Sequence, residues 1–311
     1  MHAINLVRTG VATVLLVCST AQAQLFRAYL AADGNDANPC TLPASCRLLP
    51  AALAAVANGG EIWMLDSANY NTGTVTIGKS VSILAVPGVV GSIVALKGGP
   101  AVSITAAGLN VALRNVVVGP VAGAAPGTNG IRMTGASNLI VEDSVFANLP
   151  DDAVRVTGSG TAKLNRVVVR NIDDYAVRLE NGASATILGS QLFGNLGGVF
   201  ASSFTTAPTT ATVSDTVISG GDSGVIAHAQ IVGATARISV ACSAIERTNA
   251  ALRSTTSGSG SAEVNFGDSL IVENNFAWYQ DGNGSAVLSL GNNQMSGNAG
   301  SYGHLTAFAR Q

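Results

Sequence analysis

One pattern of apolar and polar positions recurs through the C-terminal two thirds of the chain. It reads apolar-x-polar-x-apolar-apolar and is found, for example, at residues 113–118, 141–146 and 164–169. Eight copies follow one another at intervals of 23 to 28 residues. A period this regular indicates a stack of similar structural units.

A second short apolar segment follows most copies of the pattern. Examples are residues 131–133, 154–156 and 177–179, often introduced by a turn residue. Two or three short strands in each period are too few for a propeller blade, and the period has no helical half. The sequence therefore predicts an all-β fold, a single-stranded right-handed parallel β-helix in which each period forms one coil.

The alignment of the copies also predicts which residues stack on one another. Neighbouring strands lie about 4.8 Å apart, so each inward residue should contact its counterpart in the next coil. The predicted inward column is Leu113, Val141, Leu164, Leu188, Val213, Val240, Phe266 and Leu290. A polar column at the corner of each coil is expected to form a hydrogen-bonded ladder. It contains Asn115, Asp143, Arg166, Ser190, Asp215, Cys242, Asp268 and Asn292. Arg166 and Cys242 interrupt this ladder, and for Cys242 we expect a buried, inert thiol.

An open stack of coils needs a cap at its end. Residues 47–56 are predicted to form a capping helix, because Ser45 can serve as its N-cap, Pro50 is tolerated in the first turn and Gly59 follows its end. The expected organisation is an N-terminal segment at 24–60, a β-helix at 61–300 and a tail at 301–311.

Residues 1–23 have the features of a signal peptide: a basic Arg8, an apolar run at 10–18 and a small-x-small pattern at 21–23. Cleavage after Ala23 would give a secreted or periplasmic protein. No later apolar run is long enough for a transmembrane helix. In an oxidising compartment, Cys40 and Cys46 are expected to form a disulfide, with a metal site as the alternative.

Composition narrows the possible functions. Hydrophobic residues make up 47% of the chain and charged residues 11%, which excludes a disordered protein. The formal net charge is −2, without the excess of Lys and Arg that binding to nucleic acid requires.

Three arginines occupy equivalent positions in the second strands of successive coils. Arg132, Arg155 and Arg178 each stand between two apolar residues, so they should point outward as a ladder. Stacked like charges repel each other. Either nearby acids neutralise the arginines, or the arginines bind an anionic ligand. The available acids are Asp151, Asp152, Asp173, Asp174 and Glu180.

Three interpretations of this face follow. It is a salt-bridged surface, a ligand-binding face, or a catalytic site. As a face for acidic polysaccharide it would use Arg132, Arg155, Arg178, Asp152 and Asp173; as a catalytic site it would use Arg155, Asp151 and Asp174. The paired acids at 151–152 and 173–174 could be turn residues, the carboxylates of a glycoside hydrolase, or ligands for Ca²⁺.

The N-terminal segments resemble those of a known group. The stretch at 28–36, the Cys-containing segment at 38–47, and the first-coil segments at 60–62 and 77–81 are similar to those of bacterial right-handed parallel β-helix proteins of the pectin-lyase-like superfamily. This resemblance implies the fold but leaves the chemistry open, because the scaffold carries lyases, hydrolases, epimerases, adhesins and inert coils.

The motifs of two enzyme groups of this superfamily are absent or incomplete. The pectate-lyase pattern Arg-x-Pro-x-x-Arg does not occur, and the polygalacturonase pattern is only partly present. We therefore predict a secreted, non-catalytic surface or matrix protein that binds acidic polysaccharide. The alternative is a lyase or glycoside hydrolase acting on polyuronates. No cofactor is expected, apart from Ca²⁺ if the protein is a lyase, and the oligomeric state stays open.

Overall fold

The computed structural model describes residues 24–121 and 123–307. The chain winds into a right-handed parallel β-solenoid of about nine turns, with one helix near the N-terminus. The predicted fold class is confirmed. The predicted signal peptide at 1–23 lies outside the described residues. Within those residues, no helix is long and apolar enough to cross a membrane.

Each complete coil contributes one strand to each of three parallel sheets. Sheet 1 contains β1 (Leu25–Leu30), β2 (Val56–Met64), β5 (Val81–Ala85), β8 (Asn110–Arg114), β11 (Asn138–Glu142), β14 (Thr161–Asn165), β17 (Ser184–Leu188), β20 (Thr209–Ser214), β23 (Thr235–Ala241), β26 (Ser261–Gly267), β29 (Ser285–Ser289) and β32 (Leu305–Ala307). The strands thus extend beyond the predicted range of 61–300 at both ends.

The other two sheets have ten strands each. Sheet 2 contains β4 (Val75–Thr76), β7 (Val102–Ile104), β10 (Ile131–Met133), β13 (Val154–Thr157), β16 (Tyr175–Glu180), β19 (Gly197–Ser203), β22 (Ser223–Ala229), β25 (Ala250–Thr256), β28 (Phe276–Asp281) and β31 (Gly300–Tyr302). Sheet 3 contains β3 (Ala68–Asn69), β6 (Gly91–Ala95), β9 (Val116–Pro120), β12 (Val145–Ala147), β15 (Val168–Arg170), β18 (Gln191–Phe193), β21 (Val217–Ser219), β24 (Ala244–Glu246), β27 (Leu270–Val272) and β30 (Gln294–Ser296).

The predicted inward column is confirmed over most of its length. Val141 pairs in register with Leu113 on one side and Leu164 on the other, and all three side chains are fully buried. Two predicted members of the column are wrong. Ile187 lies in register with Leu164 and Val213, whereas Leu188 is displaced to the outer face. Near the C-terminal end, Ser289 pairs with Phe266, so Leu290 does not continue the column either.

The predicted corner residues do lie at the corners of the coils, with one exception, but the hydrogen-bonded ladder is formed by other residues. Asn115, Arg166 and Cys242 all have left-handed φ angles, between 49° and 54°. In the fourth copy Gly189 takes this position, not Ser190. The thiol of Cys242 is exposed, contrary to the expectation of a buried one, because the left-handed corner directs it outward.

The hydrogen-bonded ladder lies one residue after the corner, where Ser and Thr side chains are buried. The backbone N–H of Ser190 donates to the hydroxyl of Thr216, and that of Thr216 donates to Ser243. Each hydroxyl in turn donates to the carbonyl two residues before it, as Thr216 does to Ser214. This arrangement satisfies backbone groups that the tight turn leaves without strand partners.

The N-terminal cap is shorter than predicted. Helix α1 (Leu49–Ala55) begins after Leu48, whose side chain makes no capping bond. Ser45 is therefore not the N-cap. Asp36 instead binds the backbone just before the helix, because its Oδ1 accepts hydrogen bonds from the N–H groups of Arg47 and Leu48 at 2.8 Å each. Leu49 and Leu53 are buried against the end of the core.

Cys40 and Cys46 form the predicted disulfide in the loop that precedes α1. We expect the Cys40→Ser/Cys46→Ser variant to lose about 2 kcal/mol of unfolding free energy, because a bond that closes so short a loop restricts the unfolded chain only modestly. Urea denaturation measures this loss. Cys242→Ser, which alters an exposed thiol, is the control and should leave the stability unchanged. An equal effect of both changes would contradict the prediction.

Candidate functional site

The three arginines lie side by side on the outer face of sheet 2. Arg132 pairs in register with Arg155, and Arg155 with Arg178, so the predicted register is confirmed. We call these three residues the arginine ladder. The same outward column continues with Phe200 and then Ile226. The alternation of the short strands therefore places three cations at the spacing of successive coils, about 4.8 Å.

The three arginines differ in their ion pairs with acids and in their exposure to solvent. Arg132 is exposed and makes no ion pair with any residue of the described segments. The side chain of Arg155 is 29% exposed, and that of Arg178 is 17% exposed. Along the ladder, access to solvent thus falls from Arg132 to Arg178.

Arg178 lies at the centre of a cluster of acidic and aromatic side chains. Its Nε donates to both carboxylate oxygens of Asp152, at 3.0 and 2.9 Å, and its Nη2 donates to Asp174. The guanidinium also lies over the ring of Tyr175, at 4.7 Å from its centroid, and over that of Phe200, at 5.2 Å. Both acids and both rings restrict its movement.

Arg155 is held by an acid from the next coil. Its Nε and Nη2 donate to the carboxylate of Glu180 at 3.0–3.1 Å, and its Nη1 lies 4.0 Å from Asp152. The hydroxyl of Thr157 also donates to Glu180. Glu180 was predicted only as one of several neutralising acids, and its specific pairing with Arg155 follows from the register of Glu180 with Thr157.

Asp152 is fully buried, a feature that was not predicted from the sequence. Burial raises the pKa of Asp152 to about 7, and the nearby Asp174 and Asp151 add to this effect, whereas Arg178 opposes it. The repeat pattern gave no signal for this burial, because Asp152 lies in the turn before β13 and the neighbouring Ala153 and Val154 are both buried.

The raised pKa of Asp152 makes stability depend on pH. The native carboxyl holds its proton up to about pH 7, whereas the unfolded one loses it near pH 4, so unfolding free energy should fall as pH rises from about 4 to about 7. Denaturant unfolding at about pH 5 and about pH 8 measures this decline. In Asp152→Asn the decline should be smaller than in the wild type. An unchanged decline in that variant would assign it to other groups.

Of the remaining predicted site residues, two belong to the acidic cluster around Asp152 and one does not. Asp151 and Asp174 contribute carboxylate oxygens that lie within 4.8 Å of those of Asp152 and of one another. Burial raises the pKa of Asp174. Asp173, in contrast, is exposed and makes no ion pair with any described residue. The structure therefore brings together all the predicted ligand-binding and catalytic residues except Asp173, while Arg132 stays at the outer end of the ladder.

The acidic cluster does not fit a calcium ion. Ca²⁺ takes six to eight oxygen ligands. In this cluster, however, the guanidinium of Arg178 bonds to Asp152 and Asp174 and supplies the compensating positive charge. Asp152 has both oxygens engaged and no exposed surface. We assign no calcium chemistry to these residues.

The cluster is also poorly arranged for acid–base catalysis. A base has to approach the proton that it removes to within hydrogen-bond distance. Asp152 is inaccessible, and Arg155 has Nε and Nη2 engaged in hydrogen bonds to Glu180. The groups of this face that a ligand can reach are suited to binding: one cation without an ion pair among the described residues, two partly exposed cations and aromatic rings.

Comparisons with known proteins agree with this architecture. The model of the right-handed β-helix region matches residues 104–245. The crystal structure of pectate lyase Pel9A superposes with a TM-score of 0.65 at 13% identity, over 93% of this chain and 79% of that one. The complex of XylC with xylose gives a TM-score of 0.55 at 8% identity, over 91% of this chain and 70% of that one.

No curated protein sequence matches the chain. At such low identity, the structural similarity establishes the fold alone. The family match and the three parallel sheets support the same fold. The chain folds as a right-handed parallel β-helix, and its residues 104–245 match the family model of a right-handed β-helix region.

Proposed function

We propose that this protein is a non-catalytic β-helix protein that binds acidic polysaccharide along the arginine ladder. The observation that carries the proposal is the strict register of Arg132, Arg155 and Arg178 on one outward face. Exposed ion pairs contribute only about 0–1 kcal/mol each. Stability therefore gives little reason to keep an unpaired Arg132 in line with two other cations.

From their environments we infer different roles in binding for the three arginines. Arg132 has its guanidinium free for a uronate carboxylate, and carboxylates bind arginine through two parallel hydrogen bonds. Nη1 of Arg155 lies 4.0 Å from Asp152, beyond hydrogen-bond distance, so this nitrogen is available for a further contact. Arg178 has Nε and Nη2 bonded to Asp152 and Asp174, and it serves to hold Tyr175 and Phe200 in place.

Two further features support a carbohydrate ligand. Tyr175 and Phe200 stack with their ring centroids 4.8 Å apart, which gives the face an apolar surface next to its cations. A surface of this kind suits a sugar, which has both apolar C–H faces and polar edges. One of the structural neighbours, Pel9A, is by its name a pectate lyase.

The disulfide supports a site of action outside the cytoplasm. Disulfides form and persist in oxidising compartments such as the periplasm and the exterior of the cell. With Cys40 and Cys46 bonded, we infer that the protein is exported and meets polysaccharide outside the cytoplasm.

The single-arginine variants give the test of this proposal. We expect Arg132→Ala to weaken binding of polygalacturonate about five- to tenfold, because it removes one charge-assisted contact. Arg155→Ala should weaken it less, and Arg178→Ala should act mainly through stability. Calorimetric titration at low and high salt measures the affinities. Arg237→Ala on sheet 1 is the matched control, since its exposed pair with Glu263 lies on another face.

Two results would overturn the proposal. One is equal binding of polygalacturonate by the wild type and by the triple variant of the arginine ladder. The other is the release of unsaturated uronate products from the polymer by the wild type but not by Arg155→Ala, which would make the protein a lyase.

A further inference from the structure

The outer face of sheet 1 carries a groove that is separate from the arginine ladder. Two connected cavities of about 290 and 510 Å³ share Asn110, Asn138 and Ile140 in their walls. The groove reaches from Gly59 on β2 to Thr212 on β20. It therefore crosses seven successive strands of sheet 1 and runs along the axis of the solenoid.

The register of the strands arranges the lining in two parallel rows. The first row is Asn110, Asn138, Thr161, Ser184 and Thr210. The second row is Ala112, Ile140, Lys163, Thr186 and Thr212. Both rows consist of small hydroxyl, amide and aliphatic side chains, with Lys163 as their one charge. No carboxylate lines the groove within the described residues.

The polar groups of the groove are bonded at one end and free at the other. Near the N-terminal end, Asn138 donates through Nδ2 to Asn110 Oδ1 at 2.8 Å, and the Thr161 hydroxyl donates to Asn138. Further along, Thr186 and Thr212 are exposed, and their hydroxyls bond to no described residue. Each free hydroxyl can donate and accept a hydrogen bond.

The only other charged residue in the lining is already paired. Arg114 donates through Nε to Glu142 at 2.6 Å, so it contributes little net charge. An anionic polymer would find a single lysine here, in contrast to the three arginines of sheet 2. The chemistry of the groove therefore matches an uncharged ligand with many hydroxyl groups.

We propose that this groove binds a linear, neutral polysaccharide whose chain runs parallel to the solenoid axis. The coils repeat at about 4.8 Å, close to the length that one pyranose residue occupies in an extended β-linked chain, so each sugar residue meets one coil. Sugar hydroxyls exchange hydrogen bonds with Thr186 and Thr212, and the aliphatic side chain of Ile140 contacts a C–H face of a ring.

The experiment uses the whole protein with cellohexaose and xylohexaose as probes in calorimetric titrations. We expect the wild type to bind at least one of them and the Thr186→Val/Thr212→Val variant to bind it at least tenfold more weakly. Valine keeps the β-branched shape but lacks the hydroxyl. Thr134→Val is the matched control, because Thr134 is an exposed threonine that follows β10 of sheet 2. It should leave the affinity unchanged.

A second variant tests the groove by obstruction. Ile140→Arg places a long side chain on the half-exposed floor and should abolish binding of the neutral probe while the thermal midpoint stays near that of the wild type. Failure of the wild type to bind either probe would overturn the proposal. Binding that survives both groove variants but is lost in Arg132→Ala would also overturn it and place the neutral ligand on the arginine ladder. The polygalacturonate titrations test the arginine ladder separately, so either proposal can fail while the other holds.

Discussion

Replacing Arg178 with methionine is expected to lower the free energy of unfolding by about 3–5 kcal/mol above neutral pH. The substitution leaves the fully buried carboxylate of Asp152 without the guanidinium that bonds both its oxygens. It also removes the cation that lies over Tyr175 and Phe200. Urea denaturation at about pH 8 measures the loss.

The pH dependence of this loss identifies its origin. Below the pKa of about 7, Asp152 is protonated and no longer needs a counter-charge, so Arg178→Met should cost less at about pH 5 than at about pH 8. A loss that is the same at both pH values would mean that packing against the aromatic rings, and not the ion pair, is responsible.

Two further variants complete the comparison. Arg166→Met breaks the pair with Asp143, in which both side chains are more than half exposed, and should change stability by less than about 1 kcal/mol. Asp152→Leu/Arg178→Met removes both buried partners together. It should be more stable than Arg178→Met alone, because no charge is left buried and unpaired.

Most of the fold could be predicted from the sequence because stacking imposes the same chemical requirement on every coil. Inward positions must exclude water, so the period of apolar residues is visible over many copies. In the fourth copy the prediction failed because two apolar residues stand in succession. Ile187 and Leu188 are both suitable for the core, and the apolar pattern does not say which one faces inward.

The site was predicted less completely, for a related reason. Equivalent positions in consecutive coils identified the arginine ladder, since register follows from the period. The acids that pair with Arg155 and Arg178 come from preceding turns and neighbouring coils, as Glu180 does for Arg155. Which acid is buried depends on how these side chains pack together, and the repeat pattern carries no such information. The groove on sheet 1 was not predicted at all, because its lining residues are individually ordinary surface residues.

Because Ile187 faces the core in the fourth copy of the repeat, a charged residue at this position should strongly destabilise the protein. Ile187→Asp should lower the free energy of unfolding by more than the 2–5 kcal/mol typical of an isoleucine-to-alanine change, because it also buries an unpaired carboxyl group. A loss of this size is comparable to the whole stability of many domains, about 5–15 kcal/mol. Circular dichroism and urea denaturation should show a largely unfolded or strongly destabilised protein.

Leu188→Asp is the control for this change, one residue further along the same strand. Leu188 is half-buried on the outer face, in register with Asn165 and Ser214, both of which are polar. An aspartate there stays in contact with water, so we expect a loss of at most about 1–2 kcal/mol. If Leu188→Asp proved the more damaging of the two, the strand would be shifted by one residue. Such a shift turns every side chain of β17 to the opposite face, and Thr186 would then point into the core instead of lining the groove.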